Sequence, residues 1–229
     1  DLTGNGVQRI EALGDLVALK SLFLNWNQIE DGSPLANLDL RVLAIGGSLL
    51  SDISFLWEMT TLKGLNLSAS RITDITPLAN LTDLEALGVE HNFVQNVDVL
   101  ARLTKLNALT IRPLSALREL RFLELRDNMI SDASVIANFL SLEELQLDSN
   151  QLRDIGFLAG LTSLKWIGLN GNSVESLEPL AELSSLLYLY VNDNRIRDIT
   201  PLEPLVDLVG LGLSDNEIDD FLPLLDNPG

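Results

Sequence analysis

The stretch Leu62-Lys63-Gly64-Leu65-Asn66-Leu67-Ser68-Ala69-Ser70-Arg71-Ile72 fits the pattern L-x-x-L-x-L-x-x-(N/S)-x-I, and it decides the fold. The pattern returns from Leu142 to Leu152 as LEELQLDSNQL and from Leu186 to Ile196 as LLYLYVNDNRI. Its ninth position is held by Asn5, Asn27, Ser48, Ser70, Asn92, Asn128, Asn150, Asn172, Asn194 and Asn216. Successive intervals are 22, 21, 22, 22, 36, 22, 22, 22 and 22 residues. Such a period marks a chain that winds into stacked coils, each burying its apolar side against its neighbours.

Each residue type has a task in such a coil. Alternate leucines, such as Leu65/Leu67 and Leu123/Leu125, point the same way from a short parallel strand into the core. The turn Asn carries both donors and an acceptor, so it can pair with backbone groups where the chain leaves the strand ladder. Ser48 and Ser70 are expected to make part of that bond set with a shorter reach. Ile75, Leu78, Leu81 and Leu84 fill the rest of the coil. The second half reads Asp74-Ile75-Thr76-Pro77-Leu78-Ala79-Asn80-Leu81, and again Asp198-Ile199-Thr200-Pro201-Leu202. Thr76 and Thr200 are predicted N-caps, with Pro77 and Pro201 at the first helical position, where a missing N–H costs nothing. Few residues remain before the next strand, so this side must carry 3₁₀ or single helical turns. The predicted fold is an α/β leucine-rich-repeat solenoid, one curved horseshoe of about ten coils over residues 1–229. A parallel sheet lines its concave side and short turns its convex side.

The wording of the repeat resembles the 22-residue leucine-rich repeats of bacterial internalins and internalin-like surface proteins: Asn at the turn, Asp-Ile after it, and Pro-Leu-Ala-x-Leu beyond. Eukaryotic phosphatase-regulating leucine-rich-repeat proteins share the length, but Pro-Leu-Ala-Asn-Leu-Thr at 77–82 is closer to the bacterial form. The resemblance implies a protein secreted or displayed at a bacterial cell surface that recognises protein ligands through the concave face. A cytoplasmic location is the alternative. No helical N-terminal cap, immunoglobulin-like segment or surface anchor of the family type is legible, so attachment and host-cell invasion do not carry over.

Composition narrows the function classes. The 229 residues hold 15 Lys+Arg and 33 Asp+Glu, and 15 − 33 gives a net charge of −18. That balance argues against nucleic acid and anionic membranes as partners. No cysteine is present, which excludes a disulfide framework and thiolate chemistry, and His91 alone cannot build a multi-histidine metal site. Nothing approaches the length of apolar chain that crosses a bilayer. His91 has no matched nucleophile or phosphate-loop motif, so no enzyme activity and no cofactor are expected. The aspartates 31, 52, 74, 132, 154, 198 and 220 recur four residues after the turn position. Hydrogen bonding within turns accounts for them better than calcium does.

Two intervals break the register. The 36-residue step from Asn92 to Asn128 should be 44. Leu109-Thr110-Ile111 reads as a strand and Pro113-Leu114-Ser115-Ala116-Leu117 as a convex segment, with only Arg112 and Pro113 between Ile111 and Leu114. The register predicts that a turn of about eight residues is missing between Arg112 and Pro113; the alternative is a genuine deletion that distorts the coil. The 21-residue step is milder, because Leu38 to Leu43 is one residue shorter than Leu81 to Leu87, which a tighter turn absorbs. Caps are missing at both ends, so residues 1–229 are expected to be part of a longer protein.

The outward strand positions give a map of the concave face. Trp166, Tyr188 and Tyr190 form one predicted binding cluster, with Phe122 two strands away and Phe23 and Trp26 as a smaller group. Aromatics on a rigid sheet are typical hot spots. Gly168 is expected to leave space over the sheet for a ligand, the alternative being that the rings cover one another and the glycines. Arg112 and Arg126 are candidates to receive an acidic partner group, with Glu124 beside them. A cross-strand charge ladder Glu90–Arg112–Arg126–Asp148 is the preferred reading of these arginines. The expected function is non-catalytic recognition of a protein or peptide, with carbohydrate less favoured. The alternatives are a structural spacer or stalk in a larger surface protein, and an intracellular scaffold of the phosphatase-regulator type.

Overall fold

The computed structural model describes residues 1–103, 105–106 and 121–224. The chain forms two compact units, 1–118 and 119–229. The strand predicted at 109–111 and the shortfall between Arg112 and Pro113 lie outside the described residues.

Unit 1 carries a four-stranded parallel sheet in sequential order: β1 (Ser21–Phe23), β2 (Val42–Ala44), β3 (Gly64–Asn66) and β4 (Ala86–Gly88). Unit 2 carries a five-stranded one: β5 (Phe122–Glu124), β6 (Glu144–Gln146), β7 (Trp166–Gly168), β8 (Tyr188–Tyr190) and β9 (Gly210–Gly212). Sequential parallel order follows from the repeat, since each coil returns the chain in the same direction beside its predecessor. Leu65 pairs with Leu87 and Leu43, and Ile167 with Leu145 and Leu189, so the inward residues stack coil on coil. In the 21-residue coil Ser21 still faces Val42, so the shortening is absorbed outside the strands.

The core is what the leucine pattern requires: Leu65, Leu67, Leu78, Leu81 and Leu84 are fully buried. Each such side chain contributes about 2 kcal/mol on transfer from water. Opposite the strands, every helical segment among the described residues is a 3₁₀ turn, as at Thr76–Asn80, Ser134–Asn138 and Thr200–Leu202.

The capping differs from expectation. Thr76 and Thr200 are the first residues of their 3₁₀ turns, not their caps, and the preceding Ile75 and Ile199 make no side-chain cap bond. The aspartate two residues upstream supplies the oxygen. The Thr76 N–H donates to Asp74 Oδ1 and its hydroxyl to Asp74 Oδ2, both at 2.8 Å. Asp31, Asp52, Asp132, Asp154, Asp198 and Asp220 each accept the N–H two residues on in the same way. The acidic column is therefore a column of turn-forming side chains.

The turn asparagines form the ladder the sequence predicts. Asn150 Oδ1 accepts the Ile130 N–H of the previous coil at 3.0 Å. Its Nδ2 donates to Leu125, Leu147 and Asp148 carbonyls at 3.0, 3.0 and 3.2 Å. Asn92, Asn172, Asn194 and Asn216 bond alike. Ser48 and Ser70 do not take their expected share: both hydroxyls are buried with no hydrogen-bond partner. The serine side chain is too short to reach the carbonyls of two coils at once.

The residue before each turn Asn or Ser adopts positive φ. Gly4, Gly47 and Gly171 suit this conformation, and Asp127, Asp193 and Asp215 tolerate it. Trp26, at φ 57°, is the bulky exception.

Candidate functional site

The outward positions of β7 and β8 lie side by side: Trp166 faces Tyr188, and Gly168 faces Tyr190. The predicted cluster is thus assembled by the register. The Trp166 and Tyr190 ring centroids are 5.6 Å apart with 49° between their planes. Tyr188 is 37% exposed, and Trp166 and Tyr190 are half-buried. Phe122 is 39% exposed on β5, two strands from Trp166 and in the same row.

The space expected over Gly168 is filled. A Cβ at that position would meet the far edge of the Trp166 ring at 2.7 Å and Asp148 Oδ2 at 2.6 Å. The glycines of β9 are covered likewise, since a Cβ at Gly210 would meet Tyr188 Cδ1 at 2.7 Å and one at Gly212 would meet Tyr190 Cδ1 at 3.0 Å. The rings lie against the sheet over residues without side chains, which is the alternative raised from the sequence. Any ligand at this place meets ring surface, not bare backbone.

Unit 1 has its own group. Phe23 on β1 is 37% exposed and Trp26 is 66% exposed. A Cβ at Gly47 would meet Trp26 Cε3 at 2.4 Å, so this ring also covers a glycine of the next coil. The rest of this sheet face is small: Gly64, Ala86, Ala44 and Gly88 occupy the outward strand positions beside Ser21, Val42, Phe23 and Asn66.

The arginine expectation needs correcting. Arg112 lies outside the described residues. Arg126 pairs with Glu124, two residues before it on the same face, and not with Asp148. Glu124 is buried at 7% exposure, so it is a partner of Arg126 and not a free contact for a ligand. Asp148 Oδ1 instead accepts the Asn170 N–H at 2.8 Å and its Nδ2–H at 2.7 Å. Asn170 Oδ1 in turn accepts the N–H and Nδ2–H of Asn192, at 2.9 and 2.7 Å. Asn192 Oδ1 then accepts from the N–H and hydroxyl of Ser214. This second ladder, Asp148–Asn170–Asn192–Ser214, borders the aromatic rings and went unrecognised in the sequence. Its signal was there, as four short acceptors at one repeat position. Burial pushes the Asp148 carboxyl above the ordinary aspartate value, against the Asn170 bonds and the Arg126 charge, which pull it down.

Ion pairs line the start of the strands: Arg121 and Lys165 both pair with Glu143, and Lys63 pairs with Glu85 at 2.5 Å. The pattern ends in unit 2 with Leu187 and the exposed Val209, which follow Lys165 at the same repeat position. Among the described residues no group of three or more His, Asp or Glu side chains is placed to hold a metal ion. No helix among them is long and apolar enough to cross a membrane.

Comparison with known proteins agrees with this geometry. The family described as "Leucine Rich repeats (2 copies)" matches residues 162–204. No curated protein matches the chain. Among solved structures, an internalin, InlF, from Listeria monocytogenes is 35% identical with a TM-score of 0.80, over 96% of this chain and 68% of that one. Internalin C2 from the same organism is 34% identical with a TM-score of 0.68, over 85% of this chain and 79% of that one. The plant peptide hormone receptor RGFR1, solved in complex with RGF2, is 19% identical with a TM-score of 0.65, over 91% of this chain and 42% of that one, a likeness of fold alone. On the extent and identity of the two Listeria matches, the chain belongs to the internalin family of leucine-rich-repeat proteins.

Proposed function

We propose that the protein is a non-catalytic recognition module that binds a protein or peptide through the concave, strand-lined face, with Trp166, Tyr188 and Tyr190 as its main contact. One observation carries this reading. Three aromatic side chains stand on adjacent strands of a rigid sheet, and Tyr188 keeps more than a third of its surface in water. Large rings fixed by their backbone lose little entropy when a partner covers them, which is why they dominate interface energetics. The receptor RGFR1, of the same fold, is solved with its ligand RGF2, which supports a peptide or protein as the ligand class. Phe122 extends the surface along the same row. Phe23 and Trp26 form a second contact, where the strain of Trp26 is kept at an exposed position. Membership of the internalin family supports a location outside the cytoplasm, secreted or on a bacterial surface.

The test is a displayed peptide library selected on the unaltered protein and on its Tyr188→Ala/Tyr190→Ala variant. Ligands selected on the first are expected to lose about 2 kcal/mol or more of binding to the second, the scale of a hot-spot truncation. Its unfolding midpoint should move little, because both rings lie on the sheet and not in the core. Ligands that bind both proteins equally would remove this cluster from the contact surface.

A further inference from the structure

We propose that unit 1 binds two buried water molecules, one in each serine turn, in the place that an asparagine carboxamide holds in the other coils. These sites lie in the turns at Ser48 and Ser70, apart from the aromatic cluster, and do not depend on the recognition function.

The asparagine turns define which groups need a partner. In each, Oδ1 accepts a backbone N–H of the preceding coil, as from Ile72 to Asn92 and from Ile130 to Asn150, both at 3.0 Å. Nδ2 donates to the carbonyl three residues before it and to the equivalent carbonyl one coil back, as from Asn150 to Leu147 and Leu125. By repeat position, the matching N–H groups are those of Ile29 for Ser48 and Leu50 for Ser70. The Ile45 carbonyl serves both turns, since it stands three residues before Ser48 and one coil back from Ser70. None of these backbone groups has a hydrogen-bond partner among the described residues, and Ile29, Ile45 and Leu50 are fully buried. The Ser48 and Ser70 hydroxyls, on residues 5% and 8% exposed, are unpartnered too. Buried backbone groups are paired almost without exception, and ordered water pairs them where protein atoms do not reach.

The frame around these groups is that of the asparagine turns. The Leu49 N–H donates to the Ile29 carbonyl at 3.0 Å and the Arg71 N–H to the Leu50 carbonyl at 2.9 Å. Phe93 and Gln151 donate to Ile72 and Ile130 in the same way, both at 2.9 Å. Gly47 and Ala69 keep the positive φ of that turn position, and the strands keep their register. The coils have therefore not closed in on the shorter side chain. Asparagine exceeds serine by two heavy atoms, roughly the size of one water molecule, which takes about 30 Å³ in the liquid.

Hydrogen-bonding chemistry selects the occupant. Each place offers one N–H donor, a share of the Ile45 carbonyl and one hydroxyl that serves as donor or acceptor, and a buried water needs about two to four such partners. At Ser48 the water accepts from the Ile29 N–H and donates to the Ile45 carbonyl. At Ser70 it accepts from the Leu50 N–H and donates to the same carbonyl, whose two lone pairs serve both. The serine hydroxyl takes the remaining bond at each turn.

The experiment is rotating-frame proton NMR on the isotope-labelled chain, reading cross-peaks between water and backbone amides of the sign that marks dipolar contact and not exchange. The Ile29 and Leu50 amides are expected to show them, and the Ile72 and Ile130 amides, which face carboxamides, are not. A serine hydroxyl that trades protons with solvent relays the same signal, so Ser48→Ala/Ser70→Ala is the control: water contacts persist in it and relayed ones vanish. Ser48→Asn is expected to remove the Ile29 cross-peak alone, and Ser70→Asn the Leu50 cross-peak alone, as each carboxamide displaces its water. Absent cross-peaks in the unaltered chain overturn the proposal, as does their loss in the alanine variant. Cross-peaks that survive both asparagine substitutions put the water elsewhere and overturn it too.

Discussion

Unit 1 and unit 2 are built from the same repeat, yet they treat their polar turns and their outward faces differently. In unit 2, the turns at Asn150, Asn172, Asn194 and Asn216 each tie two coils together through one carboxamide. In unit 1 that series is interrupted at two consecutive coils, where the Ser48 and Ser70 hydroxyls are buried and idle. Outward, unit 2 lays aromatic rings over glycines and borders them with the Asp148–Asn170–Asn192–Ser214 ladder. Unit 1 presents mostly small residues on its described strands, with the Trp26 ring laid over Gly47. The comparison separates two jobs that one coil can do. The turn side chain holds coils together, and the outward strand positions are free to be spent on a ligand.

The largest effect is expected from breaking the turn ladder where it is complete. Asn150→Ala removes one accepted and three donated bonds and leaves buried backbone groups without partners. Unpaired buried polar groups cost about 1–3 kcal/mol each, some of which relaxation recovers, so a loss of about 3–4 kcal/mol is expected. Urea unfolding followed by circular dichroism measures it. A loss near zero would mean that neighbouring coils, and not the carboxamide, hold the turn.

Next in size is the outward face. Gly168→Ala places a methyl group within 2.7 Å of both Trp166 and Asp148. Both side chains must shift, at about 1–3 kcal/mol for an overpacked position, and Trp166 emission should change with them. The equivalent substitution at Gly160, which has no atom within 4 Å of a Cβ, should leave emission and stability nearly unchanged. Equal responses at the two positions would show that the ring does not rest on Gly168.

Repairing the interrupted turns tests the comparison from the other side. Ser70→Asn restores a side chain long enough to reach the neighbouring backbone groups, as Asn92 does in the next coil at 3.0 Å to Ile72 N–H. A gain of about 1–2 kcal/mol is expected, the net worth of one or two hydrogen bonds. No gain would show that the serine coils route their backbone differently from their neighbours.

How much of this could be read in advance follows from where the information sits. The strands and the turn ladder were legible because Leu-x-Leu and Asn recur at fixed spacing and a single coil defines their task. The aspartates at positions such as Asp74 and Asp198 were legible as turn formers for the same reason. Threonine was misjudged as the cap because the turn starts one residue earlier: the Ile75 and Ile199 carbonyls accept the Leu78 and Leu202 N–H groups, and Asp74 and Asp198 accept the threonines' own N–H groups. The Arg126–Glu124 pair was missed although residues two apart on a strand share a face. The second ladder needs three coils stacked in register before its members meet. The fall of Trp166 onto Gly168 depends on a rotamer, which residue spacing does not encode. What remains of the site's reading rests on side-chain direction, and that is a property of packed coils.

The smallest expected effect isolates the border of the aromatic site. Burial raises the Asp148 carboxyl above its ordinary value of 3.8, so the fold disfavours the ionised form relative to the unfolded chain. The resulting penalty is fully present above the folded value and disappears as pH falls towards 3.8. Asp52 and Asp132 run the other way. Ser54 and Ser134 backbone N–H groups bond their carboxylates and hold them below the ordinary value, so their stabilisation is lost at more acid pH. Asp148→Asn keeps an acceptor for Asn170, matches the residue type of the next two rungs and removes the charge. The variant should be more stable than the original at neutral pH, and the difference should shrink steadily as pH is lowered towards 3.8. Thermal unfolding at a series of pH values reads both curves. A constant difference between them would mean that the Asp148 carboxylate contributes through its shape alone, and that charge at this rung does not shape the stability of unit 2.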